Sequence, residues 1–292
     1  EYVTINAEID DCYCYFSGMQ LVSVYKDYMP KTQVILLPFI YSLFRLISNQ
    51  FKQIAYIGPL REAPNRFYIS QNLYSNIGTK GENTAQYFQQ IFAKYVNVPL
   101  PGIDENKRIM FASAVRIWLE KMGIENIVIE TSEPHAQFMR VLSGKHNIVD
   151  VGFGISQVIP IIIEGLSTNI GQTMIIEQPE VHLHPRMQME IADFIVSLTK
   201  TGRRLIVETH SDHIINRIVK RAVEDAEFLK SVQVLYIQKD AEGVSNIQEV
   251  EIDPEIGITD APLGFFDQYA SEAEEILNVG YRNMLKRQKS HD

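Results

Sequence analysis

The sequence predicts an α/β fold: a mostly parallel sheet flanked by helices, with additional antiparallel strands. Three observations carry this. From residue 148 onward, strand-like and helix-like segments alternate. Two short apolar runs, Thr173–Glu177 and Arg204–Glu208, read as buried strands that end in polar residues. Between them lies an amphipathic stretch, Arg186–Thr199, with Met187, Ile191, Phe194, Ile195 and Leu198 on one side. Such a sheet carries its chemistry at the carboxyl ends of its strands.

Taken in order, residues 1–28 read as short strands, Tyr2–Glu8, Cys12–Ser17 and Gln20–Tyr25. They are rich in residues that suit a half-buried pleated surface. A helix is expected around Ile40–Lys52, then a strand, Gln53–Ile57, stopped by Gly58-Pro59. Residues 60–103 are punctuated by Pro64, Gly78, Gly81, Pro99, Pro101 and Gly102, and read as loop around one helix, Asn83–Tyr95. A longer helix fits Glu105–Met122, with Ile109, Ala112, Val115, Trp118, Leu119 and Met122 on one face and Gly123 as its stop. Strands follow at Asn126–Thr131 and Gln137–Ser143. Ser156–Leu166 is apolar nearly all round, which predicts a deeply buried helix with Ser156 as its N-cap. Beyond the two apolar strands come a helix, His213–Val223, and a hairpin of Val232–Gln238 with Ser245–Ile252 across Asp240–Gly243. A charged helical tail follows Phe266. Its acidic Ser271–Asn278 and basic Tyr281–Lys289 are read first as a solvated helix face.

Composition bounds the function. The chain has 292 residues, 46% hydrophobic and 22% charged, enough apolar material for one large core or two small ones. A net charge of -9 argues against a surface that coats nucleic acid, while a local basic groove stays open. Cys12 and Cys14 stand one residue apart on a strand, where a disulfide would be strained, so a reduced, cytoplasmic setting is expected. No apolar run approaches the roughly 18 residues of a membrane span. A start at Glu1 in strand-like text reads as a partial chain.

Three segments carry chemistry. In Ile175-Ile-Glu-Gln-Pro179, a carboxylate at a strand end can hold Mg²⁺ beside a nucleotide's phosphates, and its neighbour can position the attacking water. The competing reading is a strand end facing solvent. In Glu208-Thr-His-Ser-Asp212, His210 can donate to a γ-phosphate or orient a water; otherwise it is a structural histidine. In Asp150-Val-Gly-Phe-Gly-Ile-Ser-Gln157, glycines before a helix allow close approach of an anion to free N–H groups, or simply form a capped turn. Arg61, Arg66, Arg203 and Arg204 read as ordinary surface charges.

In this order the three segments resemble the C-terminal half of an ABC-type ATPase of the SMC/RecF/overcoming-lysogenisation lineage. Val151–Gln157 matches its signature motif, Thr173–Gln178 its Walker B motif, Glu180–Pro185 its D-loop and His210 its switch histidine. Tyr56–Arg61, Thr79–Glu82 and Gly264–Gln268 resemble a bacterial branch whose members often sit in anti-phage defence loci. The resemblance implies the P-loop NTPase-like fold of an ABC-ATPase head, ATP and Mg²⁺ as cofactors, ATP-driven homodimerisation, and a nuclease or toxin as regulated effector. It leaves binding of nucleic acid open. Glu177 would serve the metal, and Gly152, Gly154, Ser156, Gln157 and His184 would serve the nucleotide. Gln178, Glu180 and His210 would be the catalytic set. Residues 1–238 would be the C-terminal portion of the ATPase head and 239–292 an appendage of hairpin and helix. Two departures stand out. Gln178 replaces the usual catalytic glutamate, which implies slow hydrolysis. No Gly-x-x-x-x-Gly-Lys-Ser/Thr occurs, so the phosphate cradle is expected in a segment outside this sequence.

Two other classes compete. His182, His184, His210 and His213, with Glu180 and Asp212, would suit a metal-dependent hydrolase if they converged. A scaffold without catalysis would instead use the charged tail.

Overall fold

The computed structural model describes residues 7–9, 12–17, 20–25, 42, 44–47, 51, 53–69, 73–125, 127–131, 138–262, 264–266 and 268–289. The first described elements, β1 (Ala7–Ile9), β2 (Cys12–Ser17) and β3 (Gln20–Tyr25), form an antiparallel sheet. Tyr2–Asn6 of the first expected strand lie outside the described residues. Of the helix expected around Ile40–Lys52, residues 42, 44–47 and 51 are helical and the rest lie outside them.

The functional core is a parallel sheet. β4 (Ile54–Ile57) lies against β11 (Thr173–Glu177), and β11 lies against β12 (Arg204–Glu208), so β11 is central. Between β4 and β11 the chain makes β5 (Tyr68–Ile69), α1 (Thr84–Ile91), β6 (Tyr95–Leu100), β7 (Ile103–Met110) and α2 (Phe111–Lys121). It then makes β8 (Ile127–Thr131), β9 (Phe138–Ser143), β10 (His146–Asn147) and α3 (Phe153–Ser167). β10, β9 and β5 form an antiparallel sheet in that order, with β8 also paired to β9. The crossover from β11 to β12 is α4 (Pro185–Lys200), as the amphipathic spacing predicts. α5 (Asp212–Glu224) and α6 (Ala226–Leu229) follow β12. Then come the hairpin β13 (Val234–Lys239) with β14 (Ser245–Val250), the small pair β15 (Ile252–Asp253) and β16 (Gly257–Ile258), and α7 (Gln268–Lys289). No helix among the described residues is long and apolar enough to cross a membrane.

The core sits where α2, α3 and α4 meet one face of the sheet. Met174 and Ile176 of β11 are fully buried there, with Ile161 and Ile162 of α3 and Phe194 of α4. Trp118 meets the Phe194 ring edge-on at 4.9 Å, and its indole N–H donates to the Pro99 carbonyl at 3.0 Å, so the ring is buried without an orphaned donor. Gly165 lets α3 approach α4: a methyl group there would stand 2.7 Å from the Phe194 ring. The strands are less enclosed than their apolar runs imply. Burial alternates along β11, and Ile206 of β12 is 58% exposed, because the described helices cover chiefly one face.

One long expectation is corrected. Glu105–Met122 is not a single helix: residues 103–110 form β7, paired antiparallel with β6, and the helix starts at Phe111. Leu100 pairs with Ile103 around Pro101-Gly102, and Gly102 has φ 72°, the proline-then-left-handed-glycine pattern of a tight turn. Phe111 and Ala112 donate their N–H groups to the carbonyls of Lys94 and Phe92, so the helix starts without a side-chain cap.

Candidate functional site

The parallel register brings three strand ends to one rim. Ile57 is level with Ile176, and Glu177 with Glu208. On β4, Tyr56 donates its hydroxyl to Glu177 Oε1 at 3.1 Å. Partial desolvation and the adjacent Glu177 carboxylate raise the phenol's ionisation above its ordinary value, so Tyr56 stays a donor at neutral pH.

β11 ends in an unusual backbone step. Gln178 has φ 45°, a left-handed conformation that costs a non-glycine residue roughly 1–2 kcal/mol. Four hydrogen bonds hold it, one of them from the Val181 N–H to its carbonyl at 3.3 Å. Its N–H donates to the Glu208 carbonyl at 2.8 Å. Its carbonyl accepts from Arg61 Nη1 at 2.9 Å, and the Glu177 carbonyl accepts from Arg61 Nη2 at 3.1 Å. Among the described residues the Gln178 side-chain amide has no partner and remains available. Arg61 is therefore not a surface charge; it is 4% exposed. Burial brings its guanidinium down to about 10 while the nearby Glu180 opposes that fall, and it remains a cation at neutral pH. Sequence reading missed it, although an arginine four residues beyond an apolar strand end lies within reach of the rim.

Glu180 laces the loop after β11 to the loop after β12. Its Oε2 accepts from the Thr209 hydroxyl at 2.7 Å and its Oε1 from the His210 N–H at 2.6 Å. Both oxygens are engaged, which suits a tether better than a proton acceptor. The His210 ring stands out at the rim, 76% exposed, with Nε2 3.2 Å from Glu208 Oε1. Ser211 then caps α5, accepting from the Ile214 N–H and donating to Gln188 Oε1.

The start of α3 reaches the same rim. Phe153 packs edge-on against His182 at 4.9 Å, and a methyl group on Gly154 would lie 2.7 Å from the His182 carbonyl oxygen. The glycine thus admits the loop after β11. The expected cap is corrected: Gly152 occupies the N-cap and Ser156 lies inside the first turn, buried. Its hydroxyl donates to the Phe153 carbonyl at 2.6 Å, because a serine at the fourth helical position finds its own turn's carbonyl nearest. Gln157 is buried too, with Nε2 unpartnered. Gly152 and Phe153 are the exposed residues of this turn. His184 is the N-cap of α4; its Nδ1 accepts from the Arg186 N–H at 3.3 Å, which puts the ring proton on Nε2.

The four histidines of the metal reading are separately occupied. His182 faces Phe153, His184 caps α4, His210 neighbours Glu208, and His213 lies 3.7 Å from Asp212. Among the described residues no group of three or more His, Cys, Asp or Glu side chains is placed to hold a metal ion. Arg203 is another correction to the surface reading. It is 3% exposed and donates to the Thr168 carbonyl, Asn106 Oδ1, the Thr201 hydroxyl and the Asn97 carbonyl.

Comparison with known proteins follows from this geometry. No curated protein matches the chain. Three solved structures are similar to parts of it. An SMC ATPase studied for ATP-driven dimerisation and DNA-stimulated activation is 14% identical, with TM-score 0.37, over 48% of this chain and 83% of that one. The Smc head domain with an extended coiled coil from Pyrococcus furiosus, bound to the C-terminal domain of ScpA, is 13% identical, with TM-score 0.35, over 57% of this chain and 37% of that one. An SmcHead bound to the C-winged helix domain of ScpA is 12% identical, with TM-score 0.37, over 60% of this chain and 48% of that one. The model of the AAA ATPase domain family matches residues 62–215, a little over half of the chain. That span takes in the α3 start, the β11 exit and the histidine end of β12, and the chain belongs to the AAA ATPase domain family.

Proposed function

We propose that the chain is part of an ATP-binding, ATP-hydrolysing head that dimerises on ATP and regulates a partner effector. The observation that carries this reading is the convergence of Glu177, Gln178, His210 and the α3 start on one rim of a parallel sheet. The residues fit a nucleotide–metal pair in chemical type. Glu177 has a carboxylate oxygen free of the Tyr56 bond, and Gln178 has an unpartnered amide. Bound Mg²⁺ would supply charge neutralisation as the γ-phosphoryl group transfers.

This chain's residues then divide the work. Glu177 would hold the metal with one oxygen, while Tyr56 orients the other. Gln178 hydrogen-bonds the attacking water but takes no proton at neutral pH, which makes turnover slow. His210, exposed at the rim, would donate toward the γ-phosphate. Glu180 holds the loops rather than acting as base. Gly152 and Gly154 offer the α3 backbone to the nucleotide held by a second copy, while Ser156 and Gln157 support that turn from within. His184 fixes the end of the loop. We assign residues 1–238 to the head and 239–292 to an appendage, with hairpin β13–β14 running across that boundary. A nuclease or toxin in anti-phage defence is the effector class this reading takes, in a cytoplasmic setting, and binding of nucleic acid stays open.

The test is nucleotide-dependent mass. Sedimentation of the full-length protein with ATP and Mg²⁺ is expected to show a dimer that Gly152→Arg abolishes. Gly152 is exposed with open space around its Cα, so the arginine leaves the fold intact. A wild-type protein that stays monomeric with ATP, or a variant that dimerises as well as wild type, overturns the reading.

A further inference from the structure

We propose that Arg61 is the positioning residue of the rim: its guanidinium fixes the Glu177–Gln178 backbone so that the Gln178 side chain is presented for the attacking water. This rests on the ATPase reading for its consequence, but not for its geometry.

Three observations point to Arg61. First, one guanidinium grips two successive carbonyls, those of Glu177 and Gln178, at the step where the chain turns left-handed. A planar fork matches such a pair; a lysine ammonium, a single point of charge, does not. Second, the residue is a poor stabiliser in its own right. Among the described residues its Nε is buried with no hydrogen-bond partner, and a buried cation with an unmade hydrogen bond is costly. What it contributes is a fixed geometry for the β11 exit. Third, the segment that carries it is anchored at both ends. Gly58 and Glu62 donate their N–H groups to the carbonyls of Thr79 and Lys80. Five residues beyond Arg61, Arg66 pairs in a fork with Asp150 just before α3, and Asn147 donates to the Arg66 carbonyl at 3.2 Å. The Arg61 segment therefore spans from the β11 exit to the lead-in of α3, and it ties the Gln178 step to the helix that faces a second copy.

The experiment compares wild type with Arg61→Lys and Arg61→Met in the full-length protein, with two readouts. In ATP hydrolysis, kcat is expected to fall about 10²-fold in both variants, as for a small misplacement of a reacting group. KM is expected to stay within about threefold, because uniform binding is not what Arg61 supplies. In amide exchange, the Gln178 N–H, bonded to Glu208 in wild type, is expected to exchange about tenfold faster in both variants. Unchanged exchange at Gln178 overturns the proposal whatever the activity. Exchange that rises while kcat holds overturns the functional half of it. If wild type hydrolyses no ATP, the ATPase reading falls and the exchange measurement still decides the positioning role. Should Arg61→Met fail to fold, Arg61→Lys keeps the buried charge and carries both readouts.

Discussion

At the scale of single residues, two side chains have measurable consequences. Glu164 lies in the last turn of α3, buried, with Oε2 unpartnered among the described residues and an Ile77 N–H on its carboxyl. Desolvation raises its ionisation to about 7, against the opposing pull of that N–H. A folded-state value above the unfolded one favours the protonated form in the native protein. The stability it contributes is complete below the unfolded value near 4.5 and is lost as pH rises through about 7. The loss is of order 3 kcal/mol across that window. Glu164→Gln is expected to flatten this component of the curve, so that the Tm difference from wild type changes between pH 5 and pH 8 by thermal melts. A difference independent of pH would show that Glu164 does not titrate there. Gln178 gives the second. Its main chain is held and its amide is free, so Gln178→Glu adds a proton acceptor without moving the backbone. Hydrolysis by the full-length protein is expected to rise about 10²-fold, the usual worth of a positioned general base, in a phosphate-release assay.

At the scale of elements, α3 is the helix with least tolerance. Its flank is a glycine against the Phe194 ring and the Leu198 side chain, so Gly165→Ala must push α4 away. A loss of about 1–3 kcal/mol is expected, read from urea unfolding. Full stability in that variant would mean that α4 yields freely. The same level shows what was legible. α4, β12 and α5 were readable because hydrophobic spacing and strong end signals agree. β7 was not, because Ile103–Met110 carries five polar or charged residues in succession, and pairing with β6 rather than intrinsic propensity makes it a strand. The Pro101-Gly102 turn was the available signal. The α3 cap was misplaced by four residues because serine is a strong cap by type, while here glycine takes that place and the serine turns inward.

At the scale of the molecule, the rim was legible in outline and its fastenings were not. Apolar runs that end in Glu177-Gln178 and Glu208-Thr-His210 announce adjoining strand ends. Nothing local says that Arg61 or Arg203 is buried, since an arginine's burial depends on carbonyls distant in sequence: Gln178 lies 117 positions from Arg61, and Asn97 lies 106 from Arg203. Both corrections concern arginines that join separate parts of the core.

The Arg203 junction gives α3 a fulcrum. It clamps the carbonyl of Thr168, the residue that ends the helix, to the β6–β7 hairpin and the close of α4. The opposite tip, where Phe153 meets His182, lies against the loop after β11. A helix of fifteen residues is about 22 Å long, so a rotation of about 5° about the clamped end would carry the Phe153 tip about 2 Å.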